Sequence, residues 1–385
     1  MGRTIMATLL TTLLSACSAS WEPAFDESIA EGEERTVAIT DPDVALTFAR
    51  IRTPGGLHLL AVTSWQDDRI EAVDLSASLS LADSDPVSLF LERGYNRLRD
   101  DVVGAPDAAR ISIAAADLVL PLDFGGHHIA VGTNYAEHAD DAGTTRPFLF
   151  PKMVEPTPWT GEVSTGGGLL DYEVELALVP LEPLAPGQSP RHLGLILSND
   201  FTDRETLVRA LDPDDVESGK GFTPGKSFPG FLPVGSLLVV PRDYRAFAAS
   251  LELRLFVGDR LRQRALVSEM VWNVDEVISQ VLARKGVRWD HRGQQVALFE
   301  GEAIPARTLV LTGTPHGTVF DGIPARAMAS GVLRWLAGGW DRSVADRVLE
   351  AYVGMARDAK AYLQPGDEVL LHVHRLGQVR SRVVP

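Results

Sequence analysis

The sequence predicts a mostly-β (α+β) protein, on three observations. Short apolar runs with alternating polar residues, bounded by Gly, Pro and Asp turns, recur along most of the chain. Helical patterning is confined to a few stretches. The composition, 45% hydrophobic and 23% charged over 385 residues, is that of a folded protein with room for two domains, or one large domain and a satellite. Lys+Arg 36 against Asp+Glu 52 gives a net charge of −16 with no basic run, which argues against a nucleic-acid partner. The single cysteine, Cys17, excludes an intrachain disulfide, a thiolate zinc site and an iron–sulfur cluster. No stretch reaches the ~18 uninterrupted apolar residues of a membrane-spanning helix.

Residues 1–16 have a signal-peptide layout, with Arg3 ahead of an apolar run from Ile5 to Leu14. The run ends Leu14-Ser15-Ala16-Cys17, which resembles the bacterial lipoprotein box. By that resemblance Cys17 is lipidated and becomes the mature N-terminus. The expected location is the cell envelope, with the membrane touched only through the lipid anchor. The alternative is a cytoplasmic enzyme whose start lies too far upstream. Residues 17–43, acidic and aperiodic, read as a tether.

Residues 44–120 read as a small N-terminal α+β domain. ALTFARI, HLLAVTSW and RIEAVDL form a meander, and Asp85-Pro86 then opens a helix through Arg99 with an Asp cap and Pro at its first position. Residues 121–385 form the larger domain, with strands at EVELALVPL, HLGLILSND, SLLVVP, LELRLFV, TLVLTG and EVLLHVH. LELRLFV-Gly258-Asp259-RLRQR is a hairpin with a Gly-first turn. Thr202-Asp203-Arg204-Glu205 opens a helix as a capping box. A helical insertion occupies about 324–361.

In DYEVELALVP, Glu173 and Glu175 fall at i and i+2 of a strand and share a face. Two adjacent carboxylates repel strongly where water is excluded, and persist there if a cation sits between them. Asp200 ends an apolar strand and supplies a third acid. Three carboxylates and several waters suit a hard ion such as Mg2+, Mn2+ or Ca2+. The alternative is an exposed strand with solvated acids; the apolar run after Glu175 weighs against it. In VGTNYAEHADDAG, Asn134 could cap a short helix that puts His138 and Asp141 on one face. A carboxylate beside an imidazole makes a general base near neutral pH; the alternative is a surface histidine beside chance acids. Gly225-Lys226-Ser227 is no phosphate loop, because the required first glycine is Lys220. His372 and His374 read as structural.

Taken in order, GTNYAEHADD, PFLFPK, DYEVELALV, NDFTDRE, GKSFPGFLPVG, LTGTPHG and YLQPGDEVLLHVHRLGQVRSRVV resemble the fumarylacetoacetate hydrolase family over about 127–385. The resemblance implies a fumarylacetoacetate-hydrolase-like catalytic β fold, a homodimer and a divalent metal, Mg2+ or else Mn2+ or Ca2+. Glu173, Glu175 and Asp200 fall on the family's metal-ligand positions. His138 falls on its catalytic histidine, steered by Asp141. Lys152, Arg204 and Lys226 fall on positions that hold substrate oxygens or balance the site's charge, and Thr314 on the substrate-binding TGTP position. The implied activity is metal-dependent hydrolysis of a C–C bond in a 2,4-dioxo acid of the acylpyruvate or fumarylacetoacetate type. Decarboxylation, isomerisation or hydration of 2-oxo acids are variants, and the partner is a small anionic oxo acid. Three departures stand out: Asp141 where many members have Glu, no Gln soon after Arg204, and the helical insertion. They motivate a reading from another class, an envelope lipoprotein that binds an oxo acid or docks a partner without turnover.

Overall fold

The computed structural model describes residues 27–28, 35–136, 146–212 and 215–385. Two sheets dominate a mixed α+β architecture, with eight α-helices among the described residues. The eleven-stranded sheet runs in the order Arg110–Ala114, Arg69–Asp74, Gly56–Gln66, Ala45–Thr53, Leu238–Pro241, Leu193–Asn199, Val174–Pro180, Val310–Leu311, His128–Gly132, Phe148–Lys152. Leu118–Val119 pairs to the side of Ala45–Thr53. Neighbours are antiparallel except Val310–Leu311 and His128–Gly132, which run parallel. The six-stranded sheet runs Glu27–Ser28, Arg260–Leu266, Glu252–Val257, Glu368–Val373, Gly377–Val384, Thr160–Ser164.

The N-terminal meander forms as its alternation predicts. The helix after it covers Pro86–Val103, with the Asp85 carboxylate accepting from the Val87 and Ser88 amides. Gly94, at φ 71, kinks it and turns Tyr95, Leu98 and Val102 into the core. The unit is not a separate layer, however. Ala45–Thr53 hydrogen-bonds along Leu238–Pro241, Phe48 opposite Leu238 through Ala45 opposite Pro241. The sheet therefore crosses the boundary near 120 without a seam.

Part of the 17–43 stretch is also bound. Glu27 pairs with Leu261, Ala38 N donates to His374 O at 2.7 Å, and Val37 is buried. His372 and His374 both face the Thr36 carbonyl. Apolar Val37 and these backbone bonds dock a segment whose acidic composition reads as a free tether.

The Gly258 turn has φ +59 and joins Glu252–Val257 to Arg260–Leu266, as the hairpin reading requires. The helix after Asp200 covers Arg204–Ala210, and its cap is Asp203 rather than Thr202. Asp203 accepts from the Glu205 amide at 3.1 Å, which releases Thr202 for other work. The insertion is two helices, Ala325–Leu336 and Val344–Asp358. They approach closely because Gly331 has no side chain: a Cβ there would lie 2.4 Å from Val348 Cα. Their small core, including Leu169, Ala327, Ala351, Tyr352 and Tyr362, is separate from the main one. No helix among the described residues is long and apolar enough to cross a membrane.

Candidate active site

Val174–Pro180 is buried along its whole length and pairs antiparallel with Leu193–Asn199, Val174 opposite Asn199. Glu173 and Glu175, at the start of one strand, therefore meet Asp200, just past the end of the other. All three are buried, and each offers an oxygen within 4.8 Å of the others. The Asp200 amide donates to Glu173 O at 2.9 Å, and the Glu173 amide to Asn199 Oδ1 at 2.9 Å. Glu175 Oε2 accepts from the Gly313 amide at 2.7 Å. Gly313 has φ +94, and a Cβ there would lie 2.8 Å from Asn134 Cβ, so only glycine brings that N–H to the carboxylate.

Three buried cations surround the acids. Lys226 Nζ donates to Glu173 Oε2 at 2.6 Å and Asp200 Oδ2 at 2.9 Å. Lys152 Nζ donates to Asp200 Oδ1, to Lys226 O at 2.6 Å and to Phe231 O at 2.9 Å. Arg204 donates from Nε to Asp171 Oδ2 at 2.8 Å and from Nη2 to Glu173 Oε1 at 2.6 Å. The Thr202 hydroxyl, freed from capping, donates to Glu173 Oε1 at 3.0 Å.

Asp171, Glu173, Glu175 and Asp200 thus face Lys152, Arg204 and Lys226, all buried. Fully ionised, the cluster carries one negative charge in excess. Burial pushes the Glu175 carboxyl well above the usual range, and Asp200 and Glu173 push it the same way against Lys226. Burial pulls the Lys226 ammonium down, but Asp200 and Glu173 outweigh it and hold the group above its ordinary value. Burial, with Lys226 nearby, keeps Lys152 below its ordinary value although Asp200 opposes this. A buried, all-oxygen donor set with surplus negative charge fits a hard divalent cation. Lys226 Nζ, between Glu173 and Asp200, is the positive charge that such an ion would have to share the cluster with.

The structure brings together Glu173, Glu175, Asp200, Lys152, Arg204 and Lys226. Lys152 spends its three N–H bonds on the protein, which fits charge balance and the holding of Asp200 rather than a substrate contact. Thr314 is buried and joins the cluster indirectly: its Oγ1 accepts from Gln263 Nε2 at 2.8 Å, while Gln263 Oε1 accepts from the Val174 amide at 2.9 Å. His138, Asp141 and Cys17 lie outside the described residues. The Asn134 side chain makes tertiary contacts, accepting from the Trp272 amide at 2.7 Å and donating to Thr312 O at 2.8 Å; the helix it is expected to cap runs into residues outside the described ones.

Two buried residues escape the sequence reading. Asp171 orients Arg204 and had a signal, since D-x-E-x-E puts Asp171, Glu173 and Glu175 at alternate positions. Gln263 had none, because its partners lie on other segments of the chain.

The sequence model of the family described as "Fumarylacetoacetate (FAA) hydrolase C-terminal" matches residues 127–384. The chain belongs to the fumarylacetoacetate hydrolase family. The family match spans every element that carries the acid cluster and its cations. Among its relatives, a mitochondrial oxaloacetate tautomerase of Rattus norvegicus is 25% identical over 321 residues, covering 77% of this chain and 78% of that one. A mitochondrial oxaloacetate tautomerase of Arabidopsis thaliana is 30% identical over 207 residues, covering 49% of this chain and 78% of the relative. The fold matches that of a fumarylacetoacetate hydrolase from psychrophilic Exiguobacterium antarcticum, with TM-score 0.56 and 19% identity over 88% of this chain and 99% of that one. Members of the fumarylacetoacetate hydrolase family are enzymes, with hydrolases, isomerases and tautomerases among them.

Proposed function

We propose that the protein is a divalent-metal-dependent hydrolase that cleaves a C–C bond in a 2,4-dioxo acid of the acylpyruvate or fumarylacetoacetate type. The buried cluster of Glu173, Glu175 and Asp200, flanked by three cations, carries the reading. A bound Mg2+, Mn2+ or Ca2+ would supply Lewis-acid stabilisation of enolate charge. The chain's own residues do the rest. Glu173, Glu175 and Asp200 hold the ion, and Lys226, Lys152 and Thr202 fix the directions of two of these carboxylates. With a divalent ion the cluster passes from one negative charge in excess to one positive, which suits an anionic oxo acid. Arg204 Nη1 makes no hydrogen bond among the described residues and is the guanidinium nitrogen left for a substrate oxygen. The Thr314 oxygen is engaged as an acceptor, so its own proton is left for the substrate. His138, steered by Asp141, removes the proton from the attacking water.

A second reading, keto–enol tautomerisation of oxaloacetate, is favoured by the tautomerase relatives. It uses the same enolate and replaces bond cleavage by proton transfer. The deciding experiment follows acylpyruvate loss and enol-oxaloacetate decay side by side with Mg2+ or Mn2+. Acylpyruvate cleavage that vanishes with EDTA and in Glu173→Ala supports the hydrolase; turnover that survives both overturns the metal role. Enol decay without cleavage selects the tautomerase. Mn2+ binding without turnover across an oxo-acid panel selects the non-catalytic envelope protein.

We also propose a homodimer, read by sedimentation equilibrium, and a lipid anchor at Cys17, read by palmitate incorporation that disappears in Cys17→Ser. A monomer at micromolar concentration, or no label in the parent, rejects the respective point.

A further inference from the structure

We propose that the helical insertion at 324–361 works through Phe320 and Asp171 as a clamp on the Arg204 guanidinium, so that a segment outside the acid cluster governs the grip on an anionic ligand. Only the ligand clause rests on the function proposed above.

Arg204 is buried and held on three sides. Glu173 takes Nη2 at 2.6 Å and Asp171 takes Nε at 2.8 Å. The Phe320 ring lies beneath, its centroid 5.4 Å from the guanidinium carbon. Asp171 is itself fixed by the chain that leads into the insertion: Oδ1 accepts from the Val319 amide at 3.0 Å and Oδ2 from the Phe320 amide at 3.2 Å. The Phe320 ring meets Tyr352 edge-on, with centroids 6.1 Å apart. Tyr352 sits on the second insertion helix, and its buried hydroxyl meets that of Tyr362. Arg357 of the same helix donates to Glu205 Oε2 at 2.6 Å and to Gly167 O at 3.0 Å, which ties the insertion to the residue after Arg204.

A guanidinium recognises a carboxylate well only when its planar fork is already oriented. Asp171, Phe320 and Tyr352 are therefore positioning residues. None of them adds a metal ligand; each narrows the orientations open to Arg204.

The test uses the full chain labelled with 15N. The Arg204 Nε–H resonance, assigned by its loss in Arg204→Lys, should exchange slowly in the parent. In Tyr352→Ala it should exchange roughly tenfold faster or more, and Tyr352→Phe, which keeps the ring, should restore slow exchange. Mn2+ affinity, read by electron paramagnetic resonance, should stay within about threefold in Tyr352→Ala, while oxalate affinity of the Mn2+-loaded protein should fall roughly tenfold. A folded Tyr352→Ala with parental Nε–H exchange overturns the clamp. Faster exchange with unchanged oxalate affinity overturns its link to ligand binding. A parent that binds no Mn2+ sinks the proposed function, yet the exchange readout still decides the clamp. Should Tyr352→Ala not fold, Asp171→Asn and Phe320→Leu must show the same faster exchange, and parental exchange in both overturns the proposal.

Discussion

Lys152→Met isolates the electrostatics of the cluster, because it keeps the long apolar stem and deletes the charge. The ammonium is fully buried against Asp200, whose side chain is 1% exposed. Removing one partner of a buried pair costs ~3–5 kcal/mol. The stranded carbonyls of Lys226 and Phe231 add ~1 kcal/mol or more each. Burial already disfavours the ammonium, which takes back part of that sum. The expected loss in metal-free protein is ~3–5 kcal/mol. At about 2 °C per kcal/mol for a chain of this size, the melting temperature falls by roughly 6–10 °C. Without Lys152 the cluster has two negative charges in excess, so Mn2+ should bind the variant more tightly than the parent. Binding at 100 times Kd contributes about 2.7 kcal/mol, so the deficit shrinks as Mn2+ is added. Calorimetric melts in EDTA and then in Mn2+ read both effects. A variant that melts within about 2 °C of the parent in EDTA, or a deficit that widens in Mn2+, refutes the reasoning.

Three further outcomes follow from the structure. Glu175→Gln keeps an acceptor for the Gly313 amide and removes a carboxylate that the metal-free cluster holds against its charge; stability should stay within ~1 kcal/mol while Mn2+ affinity by titration calorimetry drops about 100-fold or more. His372 is neutral in the fold, taking a bond from Arg254 Nη2 at 2.8 Å, and burial, with Arg254, pulls it down to about 4. Unfolded His372, near ~6.5, binds the proton more readily, so its contribution is complete above that pH and is lost toward 4, up to about 3 kcal/mol. His372→Gln should flatten the urea midpoint across that window, and an unchanged slope rejects the assignment. Gly331→Ala gains ~1 kcal/mol of helix propensity but drives a methyl into the Val348 backbone at a cost of ~1–3 kcal/mol. The insertion should then be cut faster by protease, and parental resistance counts against the packing described.

What the sequence discloses here is mostly local. Glu173 and Glu175 are legible because a strand repeats every two residues, and Asp200 because an apolar run stops at it. The Asp85-Pro86 helix start and the Gly258 turn are legible because their residue types determine backbone angles. What stays hidden depends on which segments meet. Thr202 and Asp203 are both good caps, and only the Glu173 carboxylate within reach of the Thr202 hydroxyl decides between them. Gln263 acquires meaning from Thr314 and Val174, which lie on other strands. The spending of every Lys152 donor on protein acceptors has no trace in PFLFPK. The docking of Val37 stays hidden because what holds its neighbours lies far along the chain: the Ala38 amide donates to His374 O, and the His372 and His374 rings reach the Thr36 carbonyl.

The ladder between Ala45–Thr53 and Leu238–Pro241 has a practical consequence. Cutting the gene at the apparent border near 120 would not release a compact enzyme. It would bare the Leu238–Pro241 backbone along a strand whose side chains are all buried. Such an open, greasy rim pairs with whatever extended chain it meets, its own copies first. The N-terminal meander is thus the selvedge of the catalytic sheet, keeping it from stitching itself to a neighbour.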